Sequence, residues 1–316
     1  PVGIIQLGGI GQYFNKAPFP GCLPIFVSSD RQGKFGHECP DCKNYWRSDG
    51  PSALKITTCS YCARQGSGHL FLTNGQKNYI RACCELITSA LETVENGELN
   101  IDMDEVADAV GKEGEKPKFY YAEESQQKRF NCNVCKSFND ILGRYGYCSS
   151  CGKHNAQSEI TNDLERIKSK LGNTNFESSL NEAVASFDGF CRTYAKQFVK
   201  RIPMTKERTR KWKEKLFHNL SKVDEDLKTN FDIKIFSNFT SSEIYFIKKM
   251  FCRRHIYEHN GGEVDQRYID ESNDHSVKVK QSISEDKVSI SRTLELIFKM
   301  AENIDKGFHD IFSIDG

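Results

Sequence analysis

Four Cys-x2-Cys pairs constrain the fold of this chain more strongly than any other feature of its sequence. The pairs are Cys39 and Cys42, Cys59 and Cys62, Cys132 and Cys135, and Cys148 and Cys151. Two residues between the thiolates allow one tight turn to direct both sulfurs at a single ion. The chain has 13 cysteines, an odd number, and no signal peptide is visible at its N-terminus. This pattern favours metal ligation over disulfides.

The four pairs divide into two units, each of which resembles a zinc ribbon. Sixteen residues separate the pairs of the first unit (39–62), and twelve separate those of the second (132–151). Four thiolates complete a tetrahedral zinc site and leave no position for a substrate water. We therefore expect two structural Zn²⁺ ions and no catalytic metal. The ribbons either stabilise regions too small for a core of their own or bind nucleic acid through nearby basic and aromatic residues.

Beyond about residue 157 the cysteine pairs stop and helical periodicity begins. Between residues 177 and 200 apolar residues recur at three- and four-residue steps, as on a helix with one buried face. Thr240 and Glu243 have the spacing of a capping box, which predicts the start of another helix. Residues 291–312 predict a final amphipathic helix. We expect a mainly α protein with small β zinc-ribbon units and a C-terminal helical bundle.

A polar stretch with Gly and Pro at residues 111–118 indicates a domain boundary. We predict three domains: an N-terminal region at 1–118 with the first ribbon (39–62) and a following helix, a second ribbon at 119–156, and a helical domain at 157–316. Within the helical domain, residues 276–290 alternate between polar and apolar side chains. This alternation predicts a short strand or hairpin.

A short stretch at residues 253–262, RRHIYEHNGG, concentrates reactive side chains at the predicted end of a helix. Arg254, His255 and His259 form the pattern R-H-x3-H. The pattern resembles R-polar-x3-H, the active-site signature of the HEPN superfamily (higher eukaryotes and prokaryotes nucleotide-binding domains). The polar position, most often Asn in that family, is His255 here. The resemblance covers roughly residues 157–316 and implies that the bundle is HEPN-like.

The resemblance implies a metal-independent endoribonuclease, a hydrolase with RNA as its partner that forms a homodimer through its helical domain. One histidine of the motif can take the proton of an RNA 2′-hydroxyl or supply one to the leaving 5′-oxygen. Arg254 can stabilise the charge that develops on the phosphorus. The residues expected to bind substrate around this catalytic set are Arg253, Tyr257 and Asn260. In bacteria the family points towards toxin or antiphage-defence roles.

Helical geometry limits how the motif can assemble a site. Successive residues turn by about 100°, so Arg254 and His259 point about 140° apart, whereas His255 and His259 share a face. Either the helix loosens before its closing glycines, or two protomers contribute to one site, and the family resemblance favours the second. A purely structural interpretation also stays open, because Arg254 can pair with Glu258 four residues later.

The overall charge says little about function. The 44 Lys and Arg residues balance 43 Asp and Glu, which leaves a net charge of +1, so nucleic-acid contact requires local basic patches. No apolar run is long enough to span a bilayer, and we expect a cytoplasmic protein without a membrane partner. The main alternative is a non-catalytic adaptor whose ribbons bind nucleic acid or a protein partner while the helical domain dimerises. A DNA-binding regulator is a third interpretation.

Overall fold

The structure is a computed structural model that divides into two compact units, residues 1–153 and 154–316. The described residues are 4–8, 25, 27, 29, 32–50, 56–93, 98–102, 126, 128–172 and 175–313. The protein is mainly α-helical, with small sheets beside the cysteine clusters, as predicted. The predicted boundary between residues 118 and 119 lies outside the described residues and stays a prediction.

The described part of unit 1 contains short strands and one long helix. In chain order its described elements are β1 (Ile4–Gly8), β2 (Phe35–Glu38), β3 (Tyr45–Ser48), β4 (Ile56–Thr58), β5 (Gln65–Ser67), a 3-10 helix (Gly68–Phe71), α1 (Asn74–Thr93), β6 (Glu98–Asp102), β7 (Lys128–Asn131) and β8 (Phe138–Ile141). β1 and β6 pair in parallel, and β4 and β5 pair antiparallel. A helix therefore follows the first ribbon, as the sequence predicts.

A four-stranded antiparallel sheet joins the two ribbons. Its strand order is β2-β3-β8-β7, so β3 of the first ribbon is hydrogen-bonded directly to β8 of the second. At this junction Arg47 Nη1 lies 2.9 Å from Asp140 Oδ2, and both side chains are fully buried. Removing one partner of a buried ion pair leaves an uncompensated charge, which is strongly destabilising. The two ribbons therefore depend on each other through one sheet.

Unit 2 is a helical bundle. Its elements are α2 (Ala156–Lys170), α3 (Phe176–Arg201), α4 (Lys206–Glu214), α5 (Leu220–Phe231), α6 (Ser241–His259), α7 (Gln266–Ser272) and α8 (Lys287–Ile311). α2, α3 and α8 pack against one another, and α3 also packs against α4 and α6. No helix in the described part of the chain combines the length and the apolar character that crossing a membrane requires.

The centre of the unit 2 core is the long helix α3, whose predicted apolar face is confirmed. The buried residues of that face include Leu180, Val184, Phe187, Cys191, Tyr194 and Phe198. The ring of Phe308 from α8 lies 4.9 Å from that of Tyr194 and 5.2 Å from that of Phe198, measured between ring centroids. Aromatic rings at this separation add attraction beyond the area they bury.

The strand or hairpin predicted for residues 276–290 is wrong. This segment forms turns, with one isolated β-bridge between Glu263 and Ser282, and its last four residues belong to α8. Lys280 has a φ of 69°, which interrupts an extended chain. Asp286 accepts a hydrogen bond from the Ser289 N–H at 2.7 Å. This N-cap starts the helix where the alternation suggested a strand.

Candidate functional site: metal centres and a basic cleft

The four cysteine pairs form four turns of the same geometry. In each turn the N–H of the residue after the second cysteine donates to the carbonyl of the first cysteine at 2.9 or 3.0 Å. That residue has a positive φ in every case: 57° at Lys43, 58° at Ala63, 63° at Lys136 and 74° at Gly152. Such a tight turn leaves both sulfurs free to face one point.

The sulfurs of each ribbon converge on one cluster, as the sequence predicts. All four Sγ atoms of a cluster lie within 4.8 Å of one another. The Cys39–Cys62 and Cys42–Cys59 distances are 3.7 Å, and the Cys132–Cys151 and Cys135–Cys148 distances are 3.5 Å. A tetrahedral ion with metal–sulfur bonds of about 2.3 Å separates its sulfurs by about 3.8 Å. Each cluster could therefore hold one four-coordinate metal ion.

Protonation of the first cluster shows why a cation suits it. A hydrogen bond with Cys62, together with burial, raises the pKa of the Cys59 thiol, while the same hydrogen bond lowers the pKa of Cys62 to about 5. A metal ion stabilises all four thiolates together and releases the remaining protons.

The R-H-x3-H stretch lies on the last turns of α6. The predicted capping box starts this helix: the Glu243 N–H donates to Thr240 Oγ1 at 3.2 Å, and the Thr240 N–H donates to Glu243 Oε2 at 2.7 Å. The helix continues to His259. Gly261 and Gly262 follow with φ values of 61° and 89°, so they end the helix as a glycine cap. The turns that carry the motif are therefore regular and do not loosen.

Arg254 and His255 line a cleft of about 290 Å³ in unit 2, which we call the motif cleft. Its other charged or histidine lining residues are His218, Lys248, Arg267 and Glu271, whereas His259 does not line it. Three permanent cations against one carboxylate favour an anion in this cleft. Arginine beside lysine is a suitable lining for a phosphate group.

The two motif histidines lie side by side, as helical geometry predicts. Their ring centroids are 4.5 Å apart. Burial lowers the pKa of His255, and the nearby His259 and Arg267 lower it further. His259 is exposed, with its Nε2 atom 3.7 Å from a carboxylate oxygen of Glu258. His255 therefore connects the motif cleft to an exposed second histidine.

Arg254 contacts both its own helix and the preceding segment. Its Nη1 atom lies 2.5 Å from Glu258 Oε2 and 3.5 Å from His218 Nδ1, so the helix-surface pair of the structural interpretation is present. His218 Nε2 in turn lies 3.5 Å from a carboxylate oxygen of Asp188. Burial and the Arg254 cation lower the pKa of His218. Sequence reasoning missed His218, because it lies 36 residues from Arg254 and belongs to no recognisable motif.

Arg253 is committed to a buried network that holds α6 in place. Its guanidinium donates to Tyr268 Oη at 3.1 Å, Glu285 Oε1 at 3.0 Å and Asp274 Oδ2 at 3.2 Å. Both carboxylates are almost fully buried. Substrate binding by Arg253 stays a prediction, and it would compete with these three hydrogen bonds.

The two other predicted substrate-binding residues also have protein partners. Tyr257 donates its hydroxyl to Glu285 at 2.7 Å, and burial raises its pKa. Asn260 is exposed at the end of α6, where its Nδ2 donates to Asp265 at 2.7 Å. Neither residue lines the motif cleft. Their part in binding stays a prediction.

Removing the Arg253 guanidinium should destabilise unit 2. We expect Arg253→Ala to lower the free energy of unfolding by about 3–5 kcal/mol, because Asp274 and Glu285 would be left buried without a counter-charge. Urea unfolding followed by circular dichroism measures this loss. Arg267→Ala, which removes an exposed arginine of neighbouring α7, is the matched control and should change stability little. Equal effects of the two substitutions would contradict the network's structural role.

The same network should make the stability of unit 2 sensitive to acid. Burial raises the pKa of Asp274, but hydrogen bonds from Ser276, Tyr268 and Arg253 outweigh it and hold that pKa well below its ordinary range. The stabilisation from Asp274 is therefore present above the unfolded pKa of about 3.9 and is lost as the pH falls towards the folded value.

No protein-family model, curated protein or solved structure matches this chain. The HEPN resemblance therefore rests on the Arg254, His255 and His259 pattern and on its helical surroundings. The metal centres rest on cluster geometry, which is independent of that resemblance.

Proposed function

We propose that this protein is a homodimeric endoribonuclease that cleaves RNA through its 2′-hydroxyl groups, using histidine and arginine side chains. The observation that carries the proposal is the motif cleft, where Arg254 and His255 line one basic cleft and the His259 ring lies 4.5 Å from that of His255. Two histidines beside an arginine can supply the base, the acid and the anion-stabilising group that this reaction needs.

Within the proposal each motif residue has one role. His255 is the base, because its lowered pKa keeps it neutral at pH 7 and able to accept the 2′-hydroxyl proton. The 2′-oxygen then bonds to phosphorus while the bond from phosphorus to the 5′-oxygen breaks. His259 donates a proton to the leaving 5′-oxygen, and Arg254 stabilises the charge on the phosphoryl oxygens. The products are a 2′,3′-cyclic phosphate and a 5′-hydroxyl.

A dimer supplies the convergence that one copy of α6 lacks. Arg254 and His259 diverge on this regular helix, and His259 is exposed outside the motif cleft. Two copies that face each other at the ends of α6 would place His259 of one chain near Arg254 of the other. The divergence of Arg254 and His259 within one chain therefore supports a symmetric dimer through unit 2.

We assign zinc to the two cysteine clusters as part of the same proposal. Four thiolates in a closed tetrahedral set are a ligand group that zinc occupies in structural sites. Cys39, Cys42, Cys59 and Cys62 would hold one ion, and Cys132, Cys135, Cys148 and Cys151 would hold the other. The ions would stabilise unit 1, and the exposed Arg129 and Arg144 of the second ribbon would contact nucleic acid.

A non-catalytic adaptor is the second candidate function. The observation that favours it is the pairing of Arg254 with Glu258 at 2.5 Å, since such a pair on a helix surface requires no substrate. In that case the ribbons bind nucleic acid or a protein, and unit 2 serves only for dimerisation. RNA cleavage distinguishes the two candidates.

Substituted RNA oligonucleotides test the enzyme proposal directly. We expect the purified protein to cut single-stranded RNA, to leave 2′,3′-cyclic phosphate ends that mass spectrometry identifies, and to spare any linkage whose 2′-hydroxyl is replaced by hydrogen. Brief addition of EDTA to the assay should not reduce the rate. Intact RNA across varied sequences, or cleavage at the 2′-deoxy positions, would sink the proposal.

A further inference from the structure

A second cleft opens beside the motif cleft, formed by α4, α5 and the connection between them. It has a volume of about 690 Å³, and we call it the lysine cleft. Its cationic lining residues are Arg208, Lys211, Lys215 and Lys222, against one carboxylate, Asp226. The whole chain has a net charge of only +1. The cleft is thus a local concentration of positive charge in a nearly neutral protein.

Two of these cations are available to a ligand. Lys211 is 69% exposed, and its partner Glu207 is equally exposed at 3.6 Å, so this ion pair is weak and easily exchanged. Lys222 is also exposed on α5. By contrast, Lys215 is largely buried and paired with Asp226, which makes it a fixed part of the cleft wall.

Phosphate contact suits this cleft better than stacking on an aromatic ring. Trp212 lines the cleft, but it is only 6% exposed, and its ring packs 4.9 Å from that of Phe231. Leu216, which is 60% exposed, offers an apolar contact at the cleft. A ligand therefore meets exposed cations and little aromatic surface.

The lysine cleft and the motif cleft meet at His218 and Asn219, which line both. The cations of the lysine cleft and those of the motif cleft therefore lie along one continuous surface, with His218 between them. A chain with regularly spaced negative charges can occupy both clefts at once. A small anion would need only one of them.

We infer that the lysine cleft binds the phosphate backbone of a single-stranded RNA and leads the strand past His218 into the motif cleft. This inference rests on the proposed function and names its substrate class. Basic side chains that line a groove are the usual means of binding the backbone of a single strand, whereas duplex RNA is recognised mainly by contacts that cross its wide, shallow minor groove. The lining of the lysine cleft therefore favours a single strand.

Paired substitutions on α4 and α5 test whether the lysine cleft binds RNA. Lys211→Gln with Lys222→Gln removes two cations that line the lysine cleft. Lys213→Gln with Lys228→Gln removes two exposed lysines of the same helices that do not line it. Binding is measured on the full protein by fluorescence anisotropy with a labelled 2′-O-methyl RNA, which lacks the reactive hydroxyl.

Loss of two phosphate contacts should reduce the salt dependence of RNA binding by a predictable amount. On single strands each contact contributes about 0.7 to the slope of log affinity against log salt, so the slope should fall by about 1.4. If the variant and the unsubstituted protein bind equally at 1 M salt, this difference in slope makes the variant bind about 25-fold more weakly at 0.1 M. The control pair should keep the slope and the affinity of the unsubstituted protein.

Several outcomes separate this inference from the enzyme proposal. In one outcome, the unsubstituted protein cleaves RNA while the Lys211 and Lys222 substitutions leave the salt slope unchanged. That result would overturn RNA binding by the lysine cleft but not the proposed activity. If the substitutions weaken RNA binding but the unsubstituted protein does not cleave RNA, RNA binding by the lysine cleft is supported and the proposed ribonuclease activity is overturned. Equal competition by duplex RNA, or by polyglutamate of the same charge, would overturn the single-strand assignment.

Discussion

Cys148→Ser should unfold most of unit 1. Structural zinc sites contribute apparent binding free energies of about 10–16 kcal/mol, and Cys148 is a fully buried member of the second cluster. We expect a loss of more than about 5 kcal/mol of stability in unit 1. With zinc assigned to both clusters as proposed, zinc content should fall below two ions per chain, and amide exchange should become fast in the sheet β2-β3-β8-β7. Unit 2, which has its own aromatic core, should stay protected.

The shared sheet should couple the two cysteine clusters. Because β3 pairs with β8 and Arg47 is buried against Asp140, loss of the second metal centre should also weaken metal binding at Cys39, Cys42, Cys59 and Cys62. Cys84→Ser is the matched control, since Cys84 is an exposed cysteine of unit 1 outside both clusters. Retention of one ion with unchanged affinity in Cys148→Ser would show that the ribbons are independent.

His255→Ala and His259→Ala should each reduce RNA cleavage by about 10²- to 10⁴-fold, the usual contribution of a general acid or base. Arg254→Ala should reduce it by about 10²- to 10³-fold. All three variants should keep the melting temperature and the oligomeric state of the unsubstituted protein. His275→Ala is the control, because His275 is exposed on unit 2 away from the motif cleft.

The pH dependence of cleavage provides a second measure of the same assignment. The proposed base, His255, must be neutral to act, and its pKa is lowered, so the acid limb of the rate profile should lie below the ordinary histidine value of about 6.5. Arg267→Ala removes a cation that lowers the pKa of His255, so it should move this limb to higher pH. A limb that does not move in Arg267→Ala would argue against His255 as the base.

Mixing the Arg254→Ala and His259→Ala variants tests the proposed dimer. If one active site combines His259 of one chain with Arg254 of the other, mixed dimers of Arg254→Ala and His259→Ala chains contain one intact site. Activity should then recover to roughly a quarter of the unsubstituted level, since half of the dimers are mixed and each has one of two sites. No recovery in verified mixed dimers would indicate that each site lies within a single chain.

Much of this molecule follows from local rules that the sequence displays directly. The Cys-x2-Cys pairs, the capping box at Thr240 and the apolar face of α3 are all present as predicted, because each depends on residues only a few positions apart. The alternation at residues 276–290 is misleading because two other local features outweigh it, namely the N-cap at Asp286 and the positive φ of Lys280.

The sequence by itself determined the two tetracysteine clusters, the helical second half and the common face of His255 and His259. Only the tertiary structure decided that the two ribbons share one sheet, that Arg253 is held in a buried network, and that His218 joins Arg254 in one cleft. Those contacts link residues from 15 to 93 positions apart along the chain. No periodic or spacing rule reaches that far, so packing alone brings such residues together.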